Sequence, residues 1–122
     1  MPGISAETAP HVEDMGVMEG RYGRLDGYAV GFETFREDAD GTPLFRGLPD
    51  DRCQCPHWGY VVKGELTVRY SDREEVIGAG EAFYMPPGHA PEAEEGTEII
   101  QFSPTDQLAE TEAAIAKAMQ GS

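Results

Sequence analysis

The chain is poor in basic residues: 9 Lys and Arg stand against 23 Asp and Glu in 122 residues, which gives a formal net charge of −14. Phosphate contacts require Lys and Arg, so nucleic acid and anionic membranes are not expected partners, and the simplest consequence of the acidity is solubility. No apolar run has the length of a membrane span, and residues 1–14 lack the basic and apolar regions of a signal peptide. The composition predicts one soluble, cytoplasmic domain.

Cysteine and histidine are also scarce, with two and three copies. Two cysteines one residue apart do not indicate a disulfide framework, because strand residues at that spacing lie near the limit of about 7 Å between Cα atoms. P-loop, Gly-x-Gly-x-x-Gly and nucleophile motifs are absent, so nucleotide binding and serine hydrolysis have no support. Four of the five Cys and His residues occur in or beside two runs, 53–66 and 80–89.

The pattern of the middle of the chain is that of many short strands. An alternating segment at 27–37 is followed by five apolar segments of five or six residues, joined by compact Gly, Pro and Asp turns. Such spacing without an intervening helix predicts an all-β fold, an antiparallel sandwich or barrel.

The C-terminal segment changes to a helical period. Ser103 is a suitable N-cap and Pro104 suits the first helical position, and Leu108, Ile115 and Met119 then recur at helical spacing. The predicted organisation is therefore a flexible N-terminal arm (1–14), a β-barrel (15–103), and one C-terminal α-helix (104–120) packed on the barrel or on a partner subunit.

A candidate metal site lies in the first run. Cys53, Cys55 and His57 occupy alternate positions, so in an extended strand they share one face. Inside a curved barrel, His89 from a neighbouring hairpin would complete a tetrahedral set of two Cys and two His. Thiolate and imidazole bind divalent transition metals, with zinc favoured and iron possible. Three ligands would leave a position open for chemistry, whereas four would make a structural site.

Other roles remain open for the same residues. The cysteines could be small buried hydrophobes, His57 a core histidine bonded to a backbone carbonyl, and His89 an exposed turn residue. A substrate pocket is expected to be walled by Tyr60, Phe83 and Met85, unless these simply fill the core. Trp58 falls on the strand face opposite His57, and Glu33 could face inward, although exposure is the default for a strand carboxylate.

Two motifs resemble those of the cupin family. Gly80 followed five residues later by Pro86-Pro87-Gly88 is similar to the second cupin motif, and Tyr60–Leu66 looks like the strand, turn and strand that close the first. Counting back from Gly64, His57 stands where cupins usually carry a glutamate, and Cys53 and Cys55 stand close to the usual His-x-His pair. Pro91 occupies the position of the second motif's histidine, with His89 two residues earlier.

The resemblance implies a cupin-type, jelly-roll-like double-stranded barrel, a homodimer, and metal-assisted chemistry on a small organic molecule, of the dioxygenase, isomerase or lyase type. The altered ligand set keeps two alternatives open. One is a metal-free module that binds or senses a small molecule, and the other is a structural zinc site without turnover.

Overall fold

The computed structural model describes residues 3–120, without the side chains of residues 44, 119 and 120, so the side chain of Met119 lies outside the described part. No helix in this part is long and apolar enough to cross a membrane. In chain order the elements are β1 (His11–Asp14), β2 (Met18–Leu25), β3 (Tyr28–Phe35), β4 (Ala39–Asp40), two 3₁₀ turns (Thr42–Phe45 and Pro49–Asp51), β5 (His57–Lys63), β6 (Glu65–Arg69), β7 (Glu74–Gly78), β8 (Ala82–Met85), β9 (Ala90–Ala93), β10 (Glu98–Pro104) and helix α1 (Thr105–Gln120).

The strands form two antiparallel sheets. The six-stranded sheet has the order β1-β2-β3-β10-β5-β8, and the four-stranded sheet has the order β4-β9-β6-β7. The predicted antiparallel all-β fold with one C-terminal helix is confirmed. Within residues 3–120 no strand pairing joins the two sheets, so closure into a double-stranded barrel stays a prediction.

Alternation along the strands decides which side chains enter the space between the sheets. In β6, Leu66 and Val68 are buried while their neighbours are not, and in β5 His57 and Val61 are buried while Trp58 is exposed. The turn between β5 and β6 depends on Gly64, whose φ of +81° favours glycine and where a Cβ would come within 2.7 Å of the Thr97 Cα. Register is thus set by alternation together with this tight turn.

The core has two parts. The larger part lies between the sheets and consists of Val61, Leu66, Val68, Tyr70, Phe83, Met85, Ala93 and Ile99. The smaller part is built from the loop before β5 and from α1, whose apolar face packs on it, and consists of Phe45, Leu48, Cys53, Cys55 and Ala90 with Leu108, Ile115 and Ala118. The loop that carries both cysteines is therefore held beneath the helix.

Both ends of the chain differ in detail from the sequence expectation. The last four residues of the predicted arm, 11–14, form β1 and pair with β2 from His11↔Tyr22 to Asp14↔Glu19. At the other end β10 continues through Pro104 and the helix begins at Thr105. Ser103 is therefore not an N-cap. It is a buried strand residue, because its pairing with Ala29 keeps it in the sheet.

Candidate metal centre

Three of the four predicted ligands come together where the loop before β5 meets the turn before β9. Cys53 and His89 form an isolated antiparallel bridge, in which the Cys53 N–H donates to the His89 carbonyl at 2.9 Å. His57 begins β5 and points inward. One ligand atom from each of Cys53, His57 and His89 lies within 4.8 Å of the others.

The cluster is shielded from water and its members face one another. Cys53, His57 and His89 are 3%, 8% and 0% exposed. The Cys53 Sγ is 3.8 Å from the His57 Nε2, and the two imidazole rings have centroids 5.0 Å apart at an angle of 60°. A thiol and two imidazoles thus share one small buried space.

Hydrogen bonds to the Nδ1 atoms of His57 and His89 orient the Nε2 atoms of both rings toward the space that they share with Cys53. The His89 Nδ1 donates to the Pro86 carbonyl at 2.7 Å, which leaves the Nε2 with a free lone pair. The His57 Nδ1 is 2.6 Å from the Ser103 Oγ, and donation to that oxygen leaves its Nε2 as the acceptor that faces Cys53. Such partners behind the ring are the usual means by which proteins orient metal-binding histidines.

The His89 Nε2 is the strongest indication that the cluster binds a ligand. It is fully buried and has no hydrogen-bond partner among the described residues. A buried polar atom without a partner costs about 1–3 kcal/mol, so native proteins rarely leave one unused. A metal ion bound by the three residues would satisfy this atom, and the donor set fits it.

Burial sets the protonation of the three groups. Desolvation, with a smaller contribution from His89, lowers the pKa of His57 to about 3, and desolvation also lowers the pKa of His89 against the opposing effect of the Pro86 carbonyl. Both imidazoles are therefore neutral near pH 7, which is the form that binds metal. Desolvation raises the pKa of the Cys53 thiol. Binding of a cation must therefore displace the thiol proton.

Cys55, the fourth predicted ligand, is not part of the cluster. Its Sγ lies 3.5 Å from the Pro56 carbonyl, and burial is the main cause that raises its pKa to about 12. The prediction that residues 53, 55 and 57 share one strand face was wrong, because the strand begins only at His57. Cys55 sits in a bend, and Pro56 has no N–H with which to continue a ladder.

The three predicted pocket residues separate into two groups. Met85 pairs with His57 across the β5–β8 ladder, and Phe83 pairs with Gly59, so both are buried beside the cluster. Tyr60 is 44% exposed on the outer face. Its assignment to the pocket was wrong because it lies three positions from His57, and alternation places residues an odd number apart on opposite faces.

Two functional candidates were missed or misjudged from sequence. Ser103 fitted a helix cap and instead orients His57. Glu33 is not an exposed strand carboxylate but accepts hydrogen bonds from Tyr22 and Gln101 on the inner face of the six-stranded sheet. The alternation of β3 could have placed Glu33 on the inner face. No sequence pattern indicates the contact between Ser103 and His57, which are 46 residues apart.

Comparison with known proteins agrees with this architecture. Residues 53–98 match the family model described as cupin domain. No curated protein sequence matches the chain. The chain is thus similar to cupin-domain proteins over these residues, and it shares their antiparallel fold.

Solved structures share the fold at low sequence identity. An RmlC-like cupin from Shewanella frigidimarina is 23% identical over 83% of this chain and 88% of its own, with a TM-score of 0.59. KdgF from Halomonas is 21% identical over 77% of this chain and 86% of its own, with a TM-score of 0.56. A variant of Bacillus subtilis oxalate decarboxylase is 16% identical over 83% of this chain but only 28% of its own, with a TM-score of 0.58.

Proposed function

We propose that the chain binds one divalent transition metal ion through Cys53, His57 and His89, and that the ion serves chemistry on a small organic molecule. The unpartnered, buried Nε2 of His89 is the observation that carries this proposal. One thiolate and two neutral imidazoles suit zinc, with iron as the second choice. The two sheets would act as the two halves of a cupin barrel around the ion.

Three protein ligands favour a reactive site over a structural zinc site. A structural zinc ion is enclosed by four protein ligands, and Cys55 does not supply the fourth. Bound here, the ion would supply Lewis-acid chemistry at its open position. The name of oxalate decarboxylase, whose fold is shared, is consistent with reactions of the lyase type; dioxygenase and isomerase reactions are the other classes that we propose to test.

The surrounding residues have separate tasks in this proposal. The Pro86 carbonyl holds His89 in the tautomer that leaves its Nε2 free, and the Ser103 hydroxyl orients the His57 ring so that its Nε2 faces Cys53. Met85 and Phe83, which are 1% and 7% exposed, keep water from the back of the cluster. A low-dielectric wall of this kind strengthens every electrostatic interaction inside it.

Elemental analysis tests the proposal, and the chain contains its own control. Protein purified without chelator should carry close to one equivalent of zinc or iron, and Cys53→Ser should lose most of it. Cys55→Ser removes an equally buried thiol outside the cluster and should keep the metal. Equal losses in both variants, or no metal uptake by the parent under reducing conditions, would contradict the proposal and favour a metal-free module that binds a small molecule.

We also propose a cytoplasmic homodimer that pairs through the outer face of the six-stranded sheet. Five large aromatic side chains there are 37% to 49% exposed, and Trp58 stacks on Tyr84 with centroids 5.1 Å apart. The five are Tyr28, Trp58, Tyr60, Tyr84 and Phe102, and we call them the aromatic face.

The occupant that best suits the aromatic face is a second copy of the chain. Its exposed surface amounts to about 400 Å², given that an aromatic side chain buries 150–250 Å². That is about half of what one partner contributes to a stable interface, and it is within the range of about 300–600 Å² for a monomer's largest apolar patch, which is often functional. None of the five residues is charged, so two copies with a net charge of −14 could meet here without direct repulsion.

A further inference from the structure

A cavity of about 770 Å³ lies against the inner face of the six-stranded sheet, with α1 on one side. None of the three metal-cluster residues lines it. Ser103 connects the two places, since it lines the cavity and contacts His57. The wall combines carboxylates with apolar side chains: Glu13, Glu33 and Glu112 with Met15, Met18 and Leu108.

Glu33 is held in this wall by a fixed arrangement. The Tyr22 hydroxyl donates to the Glu33 Oε2 at 2.8 Å, and the Gln101 Nε2 donates to the Oε1 at 3.2 Å. The Tyr22 ring lies over Gly31, where a Cβ would come within 2.8 Å of a ring carbon. Glycine at this position therefore provides the room that Tyr22 needs to reach Glu33.

The Glu33 carboxylate accepts hydrogen bonds, but among the described residues it has no cationic partner. Among residues 3–120, no Lys, Arg or His forms an ion pair with Glu33. Glu33 is half-buried, and carboxylates that are removed from water are normally paired with a positive charge. Burial raises the pKa of Glu33, in keeping with a missing partner.

The side-chain oxygen of Gln101 is a second acceptor beside Glu33. Because the Gln101 amide nitrogen is directed at Glu33, its Oε1 is left as an acceptor, and that atom is buried without a hydrogen-bond partner among the described residues. Glu13 and Glu112 add negative charge close enough to raise the pKa of Tyr22 further. Two basic side chains line the cavity: Arg24 is exposed, and His11 is paired with Glu13 at 2.9 Å rather than with Glu33.

We propose that this cavity binds a small organic cation, with an alkylammonium group that donates to the Glu33 carboxylate and the Gln101 Oε1. The ammonium ion supplies the positive charge that Glu33 lacks and the donor that the Gln101 Oε1 lacks. Its short alkyl chain packs against Met15, Met18 and Leu108. This site does not require the metal ion, so the proposal can be tested independently of the proposed metal-binding function.

Binding of n-butylammonium to the full chain, compared with 1-butanol, tests the charge requirement. The two probes have nearly the same size, and only one is charged. Calorimetric or NMR titration at about 0.15 M salt suppresses non-specific attraction to the acidic surface. Saturable binding of the ammonium ion, with shifts at Tyr22 and Gln101 and little binding of the alcohol, is the expected result. Equal binding of both probes, or no binding of the ammonium ion, overturns the proposal.

Carboxylate-to-amide variants locate the site. Glu33→Gln should weaken n-butylammonium binding about tenfold, because the negative charge is lost and the hydrogen bond to the carboxylate becomes at most one to a neutral amide oxygen. Glu112→Gln, on the same wall but outside the Tyr22 network, should weaken it several-fold and decides the matter if Glu33→Gln does not fold. Glu110→Gln removes an exposed charge from α1 away from the cavity and should change nothing. A loss in Glu110→Gln as large as in the other two variants would show attraction by net charge alone.

Discussion

The hydroxyl of Ser103 is the most informative single group to remove, because it touches the candidate metal centre without binding metal itself. Its Oγ is 2.6 Å from the His57 Nδ1, and the residue is 4% exposed. In Ser103→Ala the His57 ring loses the hydrogen-bond partner of its Nδ1, which holds the orientation of the ring. Removing such a partner typically lowers metal affinity 10- to 100-fold. The free energy of unfolding of the metal-free protein should fall by only about 1 kcal/mol.

Two measurements on the same variant separate these effects. Competition with a chelator of known zinc affinity gives the change in metal affinity, and urea unfolding of the metal-free protein gives the change in stability. Ser71→Ala, which removes an exposed hydroxyl between β6 and β7, is the matched control and should change neither quantity. A Ser103→Ala variant that is destabilised as expected, but that binds zinc within about twofold of the parent, would refute the idea that Ser103 positions His57 as a ligand.

Two further predictions concern the cavity and the aromatic face. Burial raises the pKa of Glu33 in the folded state, so the folded protein holds this proton more tightly than the unfolded chain does. The free energy of unfolding should therefore fall as the pH rises above the ordinary pKa of a glutamate. In urea titrations at several pH values, Glu33→Gln should show a weaker dependence on pH. A slope that is unchanged in the variant would exclude Glu33 as its source. Trp58→Lys should convert a dimer to a monomer in light scattering, whereas Val76→Lys, at a more exposed site on the other sheet, should not. A parent chain that is already monomeric would contradict the proposed interface.

Much of the fold could be predicted because its signals are local. Strand alternation in β5 and β6, the Lys63-Gly64 turn and the change to a helical period near the C-terminus each depend on neighbouring residues. The site was predicted less completely. Cys53, His57 and His89 were all expected as ligands and lie in the cluster. Cys55 was included because the strand was extended back through Pro56 to residue 53, four residues before its start at His57.

The sequence by itself determined the type of fold, the acidity of the surface and the small set of residues that can bind a metal. Those properties follow from composition and from short-range periodicity. The tertiary structure alone decided which of the candidates meet. The Cys53–His89 bridge, the contact of Ser103 with His57 and the hydrogen bond of Gln101 to Glu33 join segments that are far apart in the chain. Their distances depend on how the strands pair and how α1 packs, and no local pattern of residues contains that information.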